Sequence, residues 1–153
     1  MVISYLGNKD LLESPKTAFL ASGTIPLDKV LPCYDWAQQM CQEEKCVISG
    51  FSSRLEKDVL HFLMKGTQPI ILVLARKIYK KVPEELQPLL DSNRLLIIST
   101  SSSPRQSKAT ALTRNAYICE QADEILMIGV NENSSLYPLQ TKYAKKLVGI
   151  FLR

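Results

Sequence analysis

Cys46-Val-Ile-Ser-Gly-Phe-Ser-Ser-Arg-Leu-Glu-Lys-Asp-Val-Leu-His-Phe-Leu63 passes from a strand pattern to a helix pattern within a few residues. Residues 46–49 read as a short buried strand, and Ser49-Gly50-Phe51-Ser52 as the turn that leaves it. From Ser53 the period changes. Leu55, Val59, Phe62 and Leu63 make one apolar stripe, and Arg54, Lys57, Asp58, His61 and Lys65 fall on the opposite face. Ser53-Arg-Leu-Glu56 has the form of a capping box, with Ser53 as N-cap and Glu56 reaching back to it. A strand that feeds straight into a helix is half of a βαβ unit. That unit implies a parallel sheet covered by helices.

The same alternation extends in both directions. Strands are expected at 17–21, 69–75, 94–99, 124–130 and 147–152, and helices at 27–44, 53–65, 83–91 and 107–121. After its proline the run 69–75 is unbroken Ile, Leu and Val up to Ala75, as a strand covered on both faces requires. In 27–44, Val30, Tyr34, Ala37 and Cys41 share one face, Pro26 and Asp28 suit the first turn, and Pro32 is expected to delay or distort the start. Gly66 is placed at the C-cap of the 53–65 helix. The Ser-rich stretch 100–106 reads as a mobile surface loop. The expected fold is α/β: one domain over 1–153, a Rossmann-like three-layer sandwich with a mostly parallel sheet, and 1–16 as a leader segment.

Composition agrees with this class. The chain has 153 residues, 46% apolar and 22% charged, which suits one soluble domain with a core of its own. Its longest apolar runs are too short to span a bilayer, and MVISYLGNKD lacks the features of a signal peptide, so a cytoplasmic location without membrane contact is expected. Cys33, Cys41, Cys46 and Cys119 include no CxxC pair, and His61 is the one histidine, so no metal site is assigned. Cys46 and Cys119 read as small buried hydrophobes. The net charge of +4 is compatible with nucleic acid but comes from scattered residues.

In open parallel sheets, ligands bind outside the C-terminal ends of the strands. Those ends are Ser22-Gly23, Ser49-Gly50-Phe51-Ser52, Ala75-Arg76, Ser99-Thr100 and Gly129-Val130, rich in small and hydroxyl-bearing residues. Gly50 permits a tight turn or a close approach to a ligand. The free N–H groups at the following helix start, with the Ser52 and Ser53 hydroxyls, favour a phosphate. Capping alone also accounts for Ser53 and Glu56. Arg114-Asn115 reads equally as a solvent-facing pair or as a planar donor fork for phosphate, with Arg105 and Lys108 nearby. His61 lies on the solvated face and has no partner for nucleophilic catalysis, so no catalytic residue and no cofactor is assigned.

Several short motifs in order resemble the Rossmann-like core of the DNA-processing protein A family, within the SLOG superfamily of nucleotide- and nucleic-acid-binding domains. They are Leu6-Gly7-Asn8 with Leu11-Leu12, Ala21-Ser22-Gly23, Val47 through Lys57, Gly66-Thr-Gln-Pro-Ile-Ile, Ala75-Arg76, Arg94 through Ser99, and Arg114-Asn115 before Ala122-Asp-Glu-Ile-Leu126. The resemblance implies that Ser49, Gly50, Ser52, Ser53, Arg114 and Asn115 line a phosphate or DNA crevice. It also implies self-association and binding of single-stranded DNA. The chain departs from the family pattern in three places: Gly23 replaces an arginine, Arg54-Leu55-Glu56 replaces Gly-Ile-Asp, and Ala116 replaces the last residue of Arg-Asn-Arg.

The leading expectation is a non-catalytic module for a nucleotide or single-stranded nucleic acid. The alternative is a nucleotide N-glycosidase of the phosphoribohydrolase branch. That branch carries Gly-Gly-x-Gly-Thr-x-x-Glu where this chain has Gly129-Val-Asn-Glu-Asn-Ser-Ser-Leu-Tyr137, with Glu132 as the one carboxylate in the loop. A third expectation is a scaffold with an empty crevice that pairs through Tyr137, Tyr143 and Leu147.

Overall fold

The computed structural model describes residues 3–23 and 25–149. Six strands, β1 (Ser4–Gly7), β2 (Lys16–Ala21), β3 (Cys46–Ser49), β4 (Ile70–Leu74), β5 (Leu95–Ser99) and β6 (Glu124–Ile128), form one sheet in the order β1-β5-β4-β3-β2-β6. All neighbours are parallel except β1, which pairs antiparallel with β5 through Tyr5–Ile98 and Leu6–Ile97. The stretch read as a leader therefore contributes an edge strand. The helices are α1 (Leu27–Gln42), α2 (Arg54–Met64), α3 (Gln87–Asp91), α4 (Lys108–Gln121) and α5 (Tyr137–Lys142), with 3-10 turns at Lys9–Glu13, Glu84–Leu86 and Ala144–Lys146.

Side-chain alternation along the strands builds a core on each face. Phe19, Val47, Ile70, Leu72, Leu95, Ile97 and Leu126 meet α1, α2 and α3 on one side. Ala18, Leu20, Ile48, Ile71, Val73, Leu96 and Ile98 meet Ile118 and Cys119 of α4 on the other. The result is the expected three-layer α/β sandwich. The central strands have no solvated face, which is why their sequences show no polar alternation.

Several boundaries and faces differ from the sequence reading. The buried side of α1 is Cys33, Trp36, Ala37 and Met40, with Val30, Tyr34 and Cys41 half-buried beside it. Trp36 stacks on Phe19 of the sheet at 5.2 Å between ring centres, while Tyr34 lies 4.9 Å from Phe62 and donates to Asp58. The helix is thus turned so that its widest ring meets the sheet and Tyr34 meets α2. Pro32 sits inside α1, which starts at Leu27 and is not stopped by it. The C-cap of α2 is Lys65 in a right-handed conformation, not Gly66. Gly66 is needed for space, because a Cβ there would come within 2.8 Å of Cys41 Sγ. Of the expected strand 147–152, residues 150–152 lie outside the described residues; Leu147 bridges Ile125 and Val148 N–H donates to Ile125 O. Cys46 and Cys119 are buried, as small hydrophobes would be.

Candidate functional site

The β3–α2 turn is organised by two residues that point into the protein. Ser49 is fully buried, and its Oγ accepts the Phe51 N–H at 3.1 Å. Phe51 takes the left-handed conformation (φ 46°) and drives its ring into the core. That conformation costs a non-glycine residue energy, and such strain is retained where surrounding packing imposes it. At Gly50 the φ is not left-handed. What requires a glycine is Arg114: a Cβ on residue 50 would lie 2.5 Å from the guanidinium carbon.

Arg114 comes from α4, on the opposite face of the sheet, and only 3% of it is exposed. Its three nitrogens each have a partner. Nε donates to Asn115 Oδ1 at 2.8 Å, one terminal NH2 to Val73 O at 3.3 Å, and the other to Ser52 Oγ at 3.2 Å. Burial pushes the guanidinium pKa down from its ordinary value, and the charge of Glu56 acts against that. The solvent-facing reading of Arg114 is therefore overturned. Asn115 orients the fork from the adjacent position.

Glu56 forms the expected capping box with Ser53 and does more. Its Oε1 accepts the N–H groups of Ser52 (3.0 Å) and Ser53 (3.2 Å), while Oε2 accepts Ala21 N–H from the end of β2 (2.9 Å). Ser53 Oγ accepts Glu56 N–H at 3.3 Å. At 5% exposure this carboxylate ties together the ends of two strands.

A cavity of about 570 Å³ opens beyond the C-terminal ends of β3 and β4. Of the sequence candidates it brings together Gly50, Phe51, Ser52, Arg76 and Arg114. Ser49, Ser53 and Asn115 stand behind these residues as supports and do not line it. Ser22 and Gly23 lie at the end of β2, where Ser22 N–H is held by Ile128 O, and they are not part of the cavity either. The site sits over β3 and β4, beside the β2 position where the strand order reverses.

Lys57, Tyr79, Glu85 and Leu86 are among the further residues of the cavity wall that the sequence reading does not single out as site residues. Tyr79 was signalled only by its place just after the Ala75-Arg76 strand end. The Arg76 guanidinium carbon lies 5.4 Å from the centre of its ring. Burial pushes the Tyr79 phenol up, Arg76 opposes this, and Glu85 adds to it. His61 is exposed, as expected, and lies 3.8 Å from Glu85 at the rim. The segment after β4 is anchored by Lys77 N–H to Ser103 O (2.8 Å) and by Ser99 Oγ–H to Arg76 O. The 100–106 loop thus braces the wall that carries Arg76.

A second cavity of about 430 Å³, lined by Lys16, Cys46, Asp123 and Glu124 among others, opens at the N-terminal ends of the strands. No sequence candidate lies there. Among the described residues, no group of three or more His, Cys, Asp or Glu could hold a metal ion. None of the described helices is long and apolar enough to cross a membrane.

No protein-family model and no curated protein matches the sequence. Solved structures do. DNA processing protein A from Streptococcus pneumoniae superposes with a TM-score of 0.75 at 17% identity over 96% of this chain and 54% of that one. The chain thus spans about half the length of that protein. DNA processing protein A from Helicobacter pylori, described for its mode of binding single-stranded DNA, gives 0.74 at 17% identity over 96% and 70%. The molybdenum cofactor binding protein of Rippkaea orientalis gives 0.58 at 12% identity over 89% and 77%. The fold is that of the DNA processing protein A core, as the sequence resemblance implied.

Proposed function

We propose that this chain is a non-catalytic binding module for a phosphate-bearing ligand, a nucleotide or a single strand of nucleic acid, held in the cavity over β3 and β4. The carrying observation is the Arg114 guanidinium, stacked on Gly50 and fixed to Ser52 at the wall of a cavity that also presents Arg76 and Tyr79. A planar donor pinned before a ligand arrives loses little freedom on binding. Arg76 and Lys57 add positive charge, and Tyr79 offers a ring on which a base can stack. Binding of single-stranded DNA by a structure of this fold supports the same reading.

The geometry gives little to the N-glycosidase alternative. Acid/base cleavage needs a carboxylate free to reach substrate. Glu56 has its oxygens taken by three backbone N–H groups, Glu132 does not line the cavity, and Glu85, the one carboxylate lining it among the described residues, lies 3.8 Å from His61 at the rim.

Fluorescence anisotropy with a labelled oligothymidylate tests the proposal, alongside nucleoside monophosphates as competitors. Binding is expected to weaken with salt by a slope of about −0.7 per phosphate neutralised. Arg76→Ala is expected to lower affinity about tenfold while leaving the unfolding midpoint nearly unchanged. No binding of either ligand class at low salt overturns the proposal.

A further inference from the structure

Lys57, Arg76 and Arg114 line the cavity as cations, and Glu85 opposes them with the one carboxylate there among the described residues. No other lining side chain accepts hydrogen bonds without also being able to donate one. A negative charge at this place works against an anionic ligand. Its neighbour His61, at 3.8 Å, offsets that charge only when protonated. The backbone under Glu85 is nevertheless held firmly. Leu86, the next residue of the 3-10 turn, is 3% exposed, and its N–H donates to Pro83 O at 3.0 Å. Tyr79 lies near enough for the carboxylate to help push its phenol pKa up. Its ring is half-buried, with the Arg76 guanidinium carbon 5.4 Å from its centre. The cavity thus has two walls of unlike chemistry. Ser52 and Arg114 offer hydroxyl and N–H donors, while the chain after β4 offers a ring and a carboxylate.

We infer that Glu85 reads the base of the bound nucleotide and selects guanine by its Watson–Crick edge. This deepens the binding reading above and rests on it. With phosphate at Arg114, Ser52 and Arg76 and the base stacked on Tyr79, the base edge meets the carboxylate. An ionised carboxylate presents two acceptors side by side and no donor. Among the four DNA bases, guanine alone has two adjacent donors on that edge, N1–H and the N2 amino group, and so takes a bidentate pairing. Adenine and cytosine set one amino group beside a ring-nitrogen acceptor, and thymine sets its one N–H between two carbonyls. Each of these brings a lone pair against a carboxylate oxygen. Lys57 and His61 supply donors on the same wall for guanine O6. In a duplex the same edge is occupied by cytosine, so the contact requires an unpaired base.

Fluorescence anisotropy with labelled oligothymidylates that carry one central guanine, hypoxanthine, adenine or thymine tests the inference. The guanine oligomer is expected to bind about tenfold more tightly than the adenine and thymine oligomers. Hypoxanthine, which lacks the N2 amino group, should fall between them. Glu85 is more than half exposed, so Glu85→Gln should keep the wild-type unfolding midpoint. A carboxamide has one acceptor and one donor, and this variant is expected to bind the guanine and thymine oligomers within about twofold of each other. Its affinity for the thymine oligomer should be unchanged or higher, because a negative charge is gone. Competition by guanosine, inosine and adenosine 5′-monophosphates distinguishes the sources of the base: guanine preference there assigns the site a free nucleotide, and preference in the oligomers alone assigns it a strand. Equal binding of the four oligomers and of the three monophosphates, hypoxanthine equal to guanine, or a guanine preference that survives in Glu85→Gln overturns this inference and leaves the function proposed above standing. Failure of every oligomer and monophosphate to bind removes that function, and this inference with it.

Discussion

Gly50 and Arg114 are 64 positions apart in the chain and in contact in the fold, and their contact decides the character of the site. Sequence reading marked both, but it assigned Gly50 to a tight turn or to ligand approach. The left-handed residue of the turn is Phe51, and the group that approaches Gly50 is a side chain of the same protein. Local signals were read correctly where the partners are local: Ser53 and Glu56 form the capping box that their spacing announced. The burial of Arg114 was not legible, because its acceptors on Val73 and Ser52 lie 41 and 62 residues away. Gly50→Ala therefore tests a contact rather than a conformation. The new methyl group meets guanidinium atoms at 2.4 to 2.8 Å, and Arg114 can move aside only by giving up its bonds. The expected cost is about 1–3 kcal/mol of stability. Oligonucleotide affinity should fall further than that loss of stability explains, as denaturant titration and anisotropy on the same protein will show. Wild-type affinity in Gly50→Ala would mean that the position of Arg114 does not matter for binding.

At the scale of elements, α2 is fastened at both ends by residues from elsewhere. Glu56 and Ser53 hold its start. Its end is held by Arg94, from just before β5, which donates to Gln68 O at 2.9 Å, Leu63 O at 2.8 Å, Met64 O at 3.3 Å and also to Gly66 O. These are the last carbonyls of the helix and of the turn after it, which lack intrahelical donors and lie at the negative end of the dipole. Burial pushes the Arg94 guanidinium pKa down from its ordinary value, the sign of a cation held partly out of water. Arg94→Ala should cost about 2–4 kcal/mol, since it removes several charge-assisted bonds at once. Arg94→Lys should recover only part of this, because a point charge cannot serve carbonyls spread across a fork. Urea denaturation of the two variants checks the order, and equal stabilities would show that charge alone does the fastening. Sequence reading found α2 because its apolar stripe is long. It missed β1 and α5 because four and six residues carry too little periodicity to stand out, and β1 is a strand only by virtue of its ladder with β5.

Across the whole molecule, alternation of strand and helix was enough to give a parallel sheet with helices on both faces. It was not enough to give strand order. That β6 returns past β5, β4 and β3 to lie beside β2 depends on α4 crossing the second face, a choice written in long-range packing. Both faces contain buried thiols: Cys33 on the α1 side, Cys46 and Cys119 on the α4 side. Burial pushes their pKa values up from an ordinary 9.0, to about 11 for Cys33, about 12 for Cys46 and about 11 for Cys119. A thiol that keeps its proton longer in the folded chain contributes its stability in full below the unfolded value. That contribution is lost as pH rises toward the folded one. Stability is therefore expected to fall between pH 9 and about pH 11, by up to about 1.4 kcal/mol per pH unit for each thiol involved. Urea midpoints taken from pH 8 to 10.5 under reducing conditions will measure the slope. Cys33→Ala and Cys119→Ala, though less stable at neutral pH, should each show a shallower decline because one titrating group is gone. A wild-type midpoint that stays flat to pH 10.5, or variants with the wild-type slope, would show that the thiols do not set the alkaline limit and that the two apolar layers are not as dry as their packing implies.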